Sequence, residues 1–170
     1  MKLKRGLFLL FYASLFFATG FFRQVWQDRE RRAHAAFPPE VQLVLAKSEK
    51  LYLYSLQADR LPEADLKTMP TFHGYPILGQ TRIRATPERA DLLEAVRPGL
   101  EEKTVDSCFE PHHGLRAVRG NRTVDLLIGF GCEHMEIYDH RGRHRSTVSS
   151  SAQSVFNRIL AEYDVPLPEP

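Results

Sequence analysis

Cysteine is scarce in this chain: there are two, Cys108 and Cys132, in 170 residues. No C-x-x-C pair exists, which removes the usual signature of a dithiol exchange protein, and the Cys and His spacings are not those of a zinc finger or ribbon. Internal repeats and low-complexity stretches are absent as well. Neither sign of charge dominates, with 23 Lys and Arg against 21 Asp and Glu. At 43% hydrophobic and 26% charged residues the composition is that of a globular protein, which excludes disordered and fibrous classes. Setting the first 36 residues aside leaves roughly 130, enough to bury a core without metals or many disulfides.

The near balance of charge conceals a division. Residues 1–36 hold seven Lys and Arg and two Asp and Glu, whereas residues 37–170 hold sixteen and nineteen, so the balance is +5 before the domain and −3 within it. A slightly acidic domain lacks the field with which polyanion-binding proteins capture phosphate backbones, and nucleic acid is excluded as an expected partner.

What the N-terminus does have is a long uncharged run. After the basic start 1–5 (Met-Lys-Leu-Lys-Arg), Gly6 to Phe22 reads GLFLLFYASLFFATGFF without a single charged residue. Charges cost roughly 2.5–3.5 kcal/mol each at the centre of a membrane helix, so a stretch this rich in Leu and Phe partitions into lipid. Two fates fit it. A signal anchor would keep segment 6–22 as a single membrane span and continue through the helix-prone linker 23–37 into the domain. A signal peptide would be cut after the small residues Ala18-Thr19-Gly20. The expected location is therefore the inner membrane, single-pass, with domain 38–170 on the periplasmic side; the alternative is release into the periplasm after cleavage.

Within the domain, Pro38-Pro39-Glu40 opens a short helix that buries Val41, Val44 and Leu45 and ends near Ser48. Alternation predicts strands at Lys50–Leu56 and Tyr75–Arg84 with a loop between them. Thr86-Pro87-Glu88 starts a second helix, with Thr86 as its cap and Pro98-Gly99 at its end. Two strands flank the turn Arg119-Gly-Asn-Arg122. The second of these, with a bulge or a close backbone approach at Gly129, runs on through Cys132 to Tyr138 before Asp139–Gly142 turns it back. Ser151 caps a last helix with Val155, Phe156, Ile159 and Leu160 on one stripe. The fold class is α+β, an antiparallel sheet with helices packed on one face.

The stretches CFEPHHGLR at 108–116, TVDLLIGFGCE at 123–133 and VFNRILAEYDVPL at 155–167, with SEKLYLYSL at 48–56 and FHGYPILG at 72–79, resemble a group of small exported or membrane-anchored bacterial proteins of unassigned function. That group is marked by a CF-x-P-R-H-G-[IL]-R stretch, a C-F-x-C strand and a closing V-P-L. The similarity spans most of residues 46–168. His112 stands where the pattern has Arg, and Gly129 where it has the first Cys of C-F-x-C. The resemblance implies export and an α+β fold, and it implies no activity.

Three constellations carry candidate chemistry. Cys108 and Cys132 flank the predicted hairpin and are a disulfide candidate in an exported domain. Cys108, His112, His113, Cys132 and His134 offer the thiolates and imidazoles that zinc and copper prefer, with Cys132 and His134 two apart on one strand and hence on one face; the two readings compete for the same sulfurs, and no cofactor is otherwise expected. A nucleophile at Cys108 served by His113 and Asp125 has no local signature behind it. Asp125, Glu133 and Glu136 read as carboxylates at solvated strand edges, and the basic loop Arg141–Arg145 as a solvated turn or a contact for anionic headgroups. With no coherent catalytic set, the expected role is a non-enzymatic binding or interaction module with the membrane and an envelope protein as partners; the alternative is a metal-binding protein.

Overall fold

In a computed structural model of the chain, the described residues are 37–59, 68–97 and 108–168. The basic start, the apolar segment 6–22 with its bounds Gly6 and Phe22, and the linker as far as residue 36 lie outside them. Among the described residues no helix is long and apolar enough to cross a membrane.

The architecture is α+β. Seven strands run β1 Lys50–Leu56, β2 Thr71–Phe72, β3 Tyr75–Ile83, β4 His113–Arg119, β5 Arg122–Gly129, β6 His134–Asp139 and β7 Gly142–Thr147; the helices are α1 Pro39–Ala46, α2 Thr86–Ala95 and α3 Gln153–Glu162. The strands form one sheet in the order β2-β3-β1-β4-β5-β6-β7, antiparallel at every pairing.

Period-two alternation divides each strand between two faces. On the first face Leu51, Leu53, Ile83, Leu115, Ala117, Val124, Leu126, Ile128, Met135 and Ile137 join one buried cluster with Val41, Val44 and Leu45 of α1, Leu92 of α2 and Phe156, Ile159 and Leu160 of α3. All three helices thus feed one core. α2 and the C-terminal end of α3 are tied together by Tyr163 Oη, which donates to Glu88 (2.6 Å), and by Arg158 to Asp91 (2.7 Å).

Several element ends differ from their sequence signals. α1 stops at Ala46 because the Ser48 hydroxyl donates back to the Leu45 carbonyl (3.1 Å) and withdraws it from the helical ladder. Thr86 is the first helical residue and not the cap; Ala85, extended, holds that place and its carbonyl accepts from Arg89 N (3.2 Å). A short 3-10 turn, Ser150–Ala152, precedes α3, so Ser149 caps instead of Ser151, with its hydroxyl oxygen accepting from Ser151 N (3.4 Å).

The largest correction concerns Cys132. The strand does not run through it: β5 ends at Gly129, residues 130–133 turn, and His134 pairs back onto Gly129. Phe130 plunges into the core at the turn, and Glu133, at φ 54, donates its N–H to the Phe130 carbonyl (3.2 Å). Of the two roles expected for Gly129 the close approach is the one found, since a Cβ there would come within 3.0 Å of the Glu110 carbonyl oxygen.

Candidate functional site

The five Cys and His residues of the sequence analysis do not assemble. Cys108 and Cys132 lie at disulfide distance, Cα–Cα 5.9 Å. Both precede strands, Cys108 on the approach to β4 and Cys132 in the β5–β6 turn, so the pair fastens the 108–112 segment to that turn. Because a turn intervenes, Cys132 and His134 do not share the face of one strand. Among the described residues no group of three or more His, Cys, Asp or Glu is placed to hold a metal ion. Alkylating the unreduced protein should add no mass at the cysteines, and alkylating after reduction should add two adducts; adducts without reductant would mean free thiols.

His113 is a core residue. It is fully buried, its Nε2 is 2.8 Å from Asn157 Oδ1 on α3, and its ring meets Phe130 and Phe156 edge-on at 5.2 and 5.6 Å. Burial pushes its pKa down to about 4, against a smaller upward pull from Asn157. Ser55 is its cross-strand neighbour on the same core-facing side. Hydroxyl, imidazole and Asn157 amide thus follow one another as nucleophile, base and orienting group do in hydrolases. The resemblance is empty of chemistry: Ser55 and His113 are both at 0% exposure, and neither Ser55 Oγ nor His113 Nδ1 has a hydrogen-bond partner. Cys108 and Asp125 stand apart from this group, on the strand approach and on the opposite sheet face, so the Cys108–His113–Asp125 set does not form either. His134 is buried with both ring nitrogens unpartnered, and His112 is half-buried.

The assembled polar constellation lies on the second face of the sheet, where sequence reasoning placed no site. Arg116 on β4 and Asp125 on β5 are cross-strand partners, joined by Nε to Oδ1 (2.7 Å) and NH2 to Oδ2 (2.6 Å). His73, at the tip between β2 and β3, reaches over the face and places Nε2 2.8 Å from Asp125 Oδ2. Its ring stacks on Tyr138 at 3.8 Å, and Tyr138 Oη donates to Glu136 Oε2 (2.7 Å). Arg143 and Arg145 of β7 both approach Glu136 Oε1 at 3.4 Å. Beneath the tip, Phe72 stacks on Tyr54 at 4.5 Å and carries the Arg116 guanidinium 5.2 Å above its centroid. The tip itself turns through left-handed backbone, His73 at φ 51 and Gly74 at φ 90, and Gly114 makes room for it, since a Cβ there would meet Phe72 at 2.8 Å.

Asp125 and Glu136, expected at solvated edges, are therefore buried, at 5% exposure each. The reason is pairing: a carboxylate leaves water at tolerable cost only with cations and donors around it. Burial would push the Asp125 carboxyl up, yet hydrogen bonds from Arg116 and His73 outweigh it and hold the pKa below the ordinary value. Burial, and then the bond to Glu136, pushes Tyr138 up to about 12. At the start of the basic loop, Glu40 lies 2.7 Å from Arg141 and 3.4 Å from the neighbouring His140.

The family-model scan and the searches of curated proteins and solved structures found no match for this chain. Its chemistry must be read from its own geometry. The Asp125 carboxylate is held by Arg116 and His73, the Tyr138 phenol stands at about 12, and the histidine with the lowered pKa is sealed in the core. What the second face presents is an ordered relief of guanidinium, imidazole and phenol groups.

Proposed function

We propose that this protein is an envelope component whose folded domain is a non-enzymatic binding module, tethered to the inner membrane by segment 6–22 with the domain on the periplasmic side. Release into the periplasm after a cut near Ala18-Thr19-Gly20 is the alternative for the leader. The observation that carries the binding role is the commitment of Asp125 and Glu136, the buried carboxylates of the second face, to neighbours within the fold. Such networks order a surface without leaving a free acid or base on it. Support for the location comes from the uncharged Gly6–Phe22 run and the basic residues before it, and from the resemblance to exported bacterial proteins. An isolated cysteine pair at disulfide distance suits an oxidising compartment.

A reporter fused after Pro170 that works only outside the cytoplasm should be active, and full-length protein should sediment with membranes after lysis. Activity only of a cytosolic reporter would refute the location. A defined turnover by the purified chain, lost on His73→Ala, would refute the binding role.

A further inference from the structure

We propose that β7 is a docking edge for an extended acidic segment of a partner protein, which adds to the sheet as a further strand. The proposal rests on the binding-module reading and names its surface and the chemistry of its partner.

β7 closes one end of the strand order, and Gly142 to Arg145 are exposed along it. Among the described residues no strand pairs with its outer side. The opposite edge, β2, is two residues long and too short to template a partner. The β6–β7 hairpin turns through two residues, with Asp139 opposite Gly142. In such a hairpin the hydrogen-bonded pairs alternate from the closing pair, so Gly142, His144 and Ser146 bond inward to β6 while Arg143 and Arg145 direct their N–H and C=O groups outward. An extended peptide can complete that outer ladder, with side chains giving selectivity.

The side chains state which peptide. Arg143 and Arg145 project on the second face, each more than half exposed at 54% and 55%, and both approach the single carboxylate of Glu136. Two guanidiniums against one carboxylate leave one positive charge in surplus at the edge. A partner strand carrying acidic residues two positions apart would bring its carboxylates to that row, on one side of its own pleat. A second copy of this chain does not fit, because pairing β7 with β7 sets arginine against arginine, and directly opposed like charges destabilise a sheet. β7 also presents no large apolar side chain, which disfavours an amphipathic helix.

The test uses the full chain in neutral detergent micelles and a labelled ten-residue peptide alternating Glu with Thr and Val, read by fluorescence anisotropy. The Glu peptide should bind about tenfold more tightly than the same peptide with Lys for Glu, with the difference shrinking as salt rises. Arg143→Ser removes the surplus charge while leaving Arg145 to Glu136, and should weaken binding severalfold. Arg145→Pro removes an outward N–H without breaking an inward ladder bond; it should abolish the binding that Arg145→Ser, with the same loss of charge, only weakens, while the circular dichroism spectrum of both is kept. Equal binding of the Glu and Lys peptides, or wild-type binding by Arg145→Pro, would overturn the proposal. So would attachment to phosphatidylglycerol vesicles that Arg145→Ser and Arg145→Pro weaken equally, since that identifies a headgroup contact indifferent to the backbone N–H. If the peptide fails while a periplasmic partner cross-links through the His73 tip on the second face, only the edge proposal falls; if nothing cross-links at any position, the binding-module reading falls with it.

Discussion

Arg116→Ala should destabilise the domain by about 3–5 kcal/mol, and Asp125→Ala by roughly half as much, although the two side chains share the same pair of hydrogen bonds. The inequality follows from their surroundings. The Asp125 side chain is 7% exposed and the Arg116 side chain 39%. Deleting the arginine strands a carboxylate beneath the sheet face with only His73 against it, and also removes the aliphatic stem and guanidinium that cover Phe72. Deleting the aspartate strands a guanidinium that can swing its head into water. Removing both should cost less than Arg116→Ala alone, because no charge is then buried without a partner. The pH dependence has a definite sign. In the native protein the Asp125 carboxyl lies below its ordinary pKa, so its contribution is present above that value and lost below it. Without Arg116 burial dominates and favours the neutral acid, so the deficit of Arg116→Ala should shrink as pH falls. Urea unfolding of the four proteins across pH provides the measurement, and an Asp125→Ala loss equal to or greater than the Arg116→Ala loss would contradict this account.

That pair also marks where sequence reading could have gone further. The turn at Arg119-Gly-Asn-Arg122 was legible from Gly-Asn between two apolar runs, and Gly120 indeed takes φ 57. Once Arg119 faces Arg122, counting three residues back along each strand sets Arg116 opposite Asp125. The same count from Asp139 and Gly142 sets Glu136 opposite Arg145. Both buried carboxylates are thus decipherable from hairpin register, whereas each strand considered alone places them at an edge. His73 was not legible. It lies 52 residues from Asp125, at a tip that folds over the sheet, and nothing local in FHGY announces such a reach. The α1, β1 and α3 stripes were legible because apolar periodicity there is undiluted. Cys132 was misplaced for the opposite reason: in LLIGFG the apolar run continues through a turn, since Phe130 is as buried at the bend as Ile128 is in the strand, and hydrophobicity carries no mark of where a chain reverses.

Between pH 6.5 and pH 4 the folded domain should lose about 3 kcal/mol of stability through His113 alone. An unfolded histidine takes up its proton near 6.5; the native one, pushed down to about 4 chiefly by burial, does not. Above pH 6.5 both states are neutral at this position and the contribution is complete. As pH falls below 6.5 the unfolded chain binds a proton that the native chain refuses, and stability declines by about 1.4 kcal/mol per unit until native His113 also protonates. The Asp125 contribution disappears only below the ordinary carboxylate range, so the two losses occupy separate windows. Protonation would put a charge between Phe130 and Phe156 with Asn157 Oδ1 as its one acceptor, which is why the core resists it. His113→Gln, neutral at every pH, should be less stable than the native chain at pH 7, and the gap between them should narrow by about 3 kcal/mol by pH 4. Parallel stability curves from pH 7 to pH 4.5 would show that the imidazole is reachable by water, and with that the case against His113 as an accessible base or metal ligand would be lost.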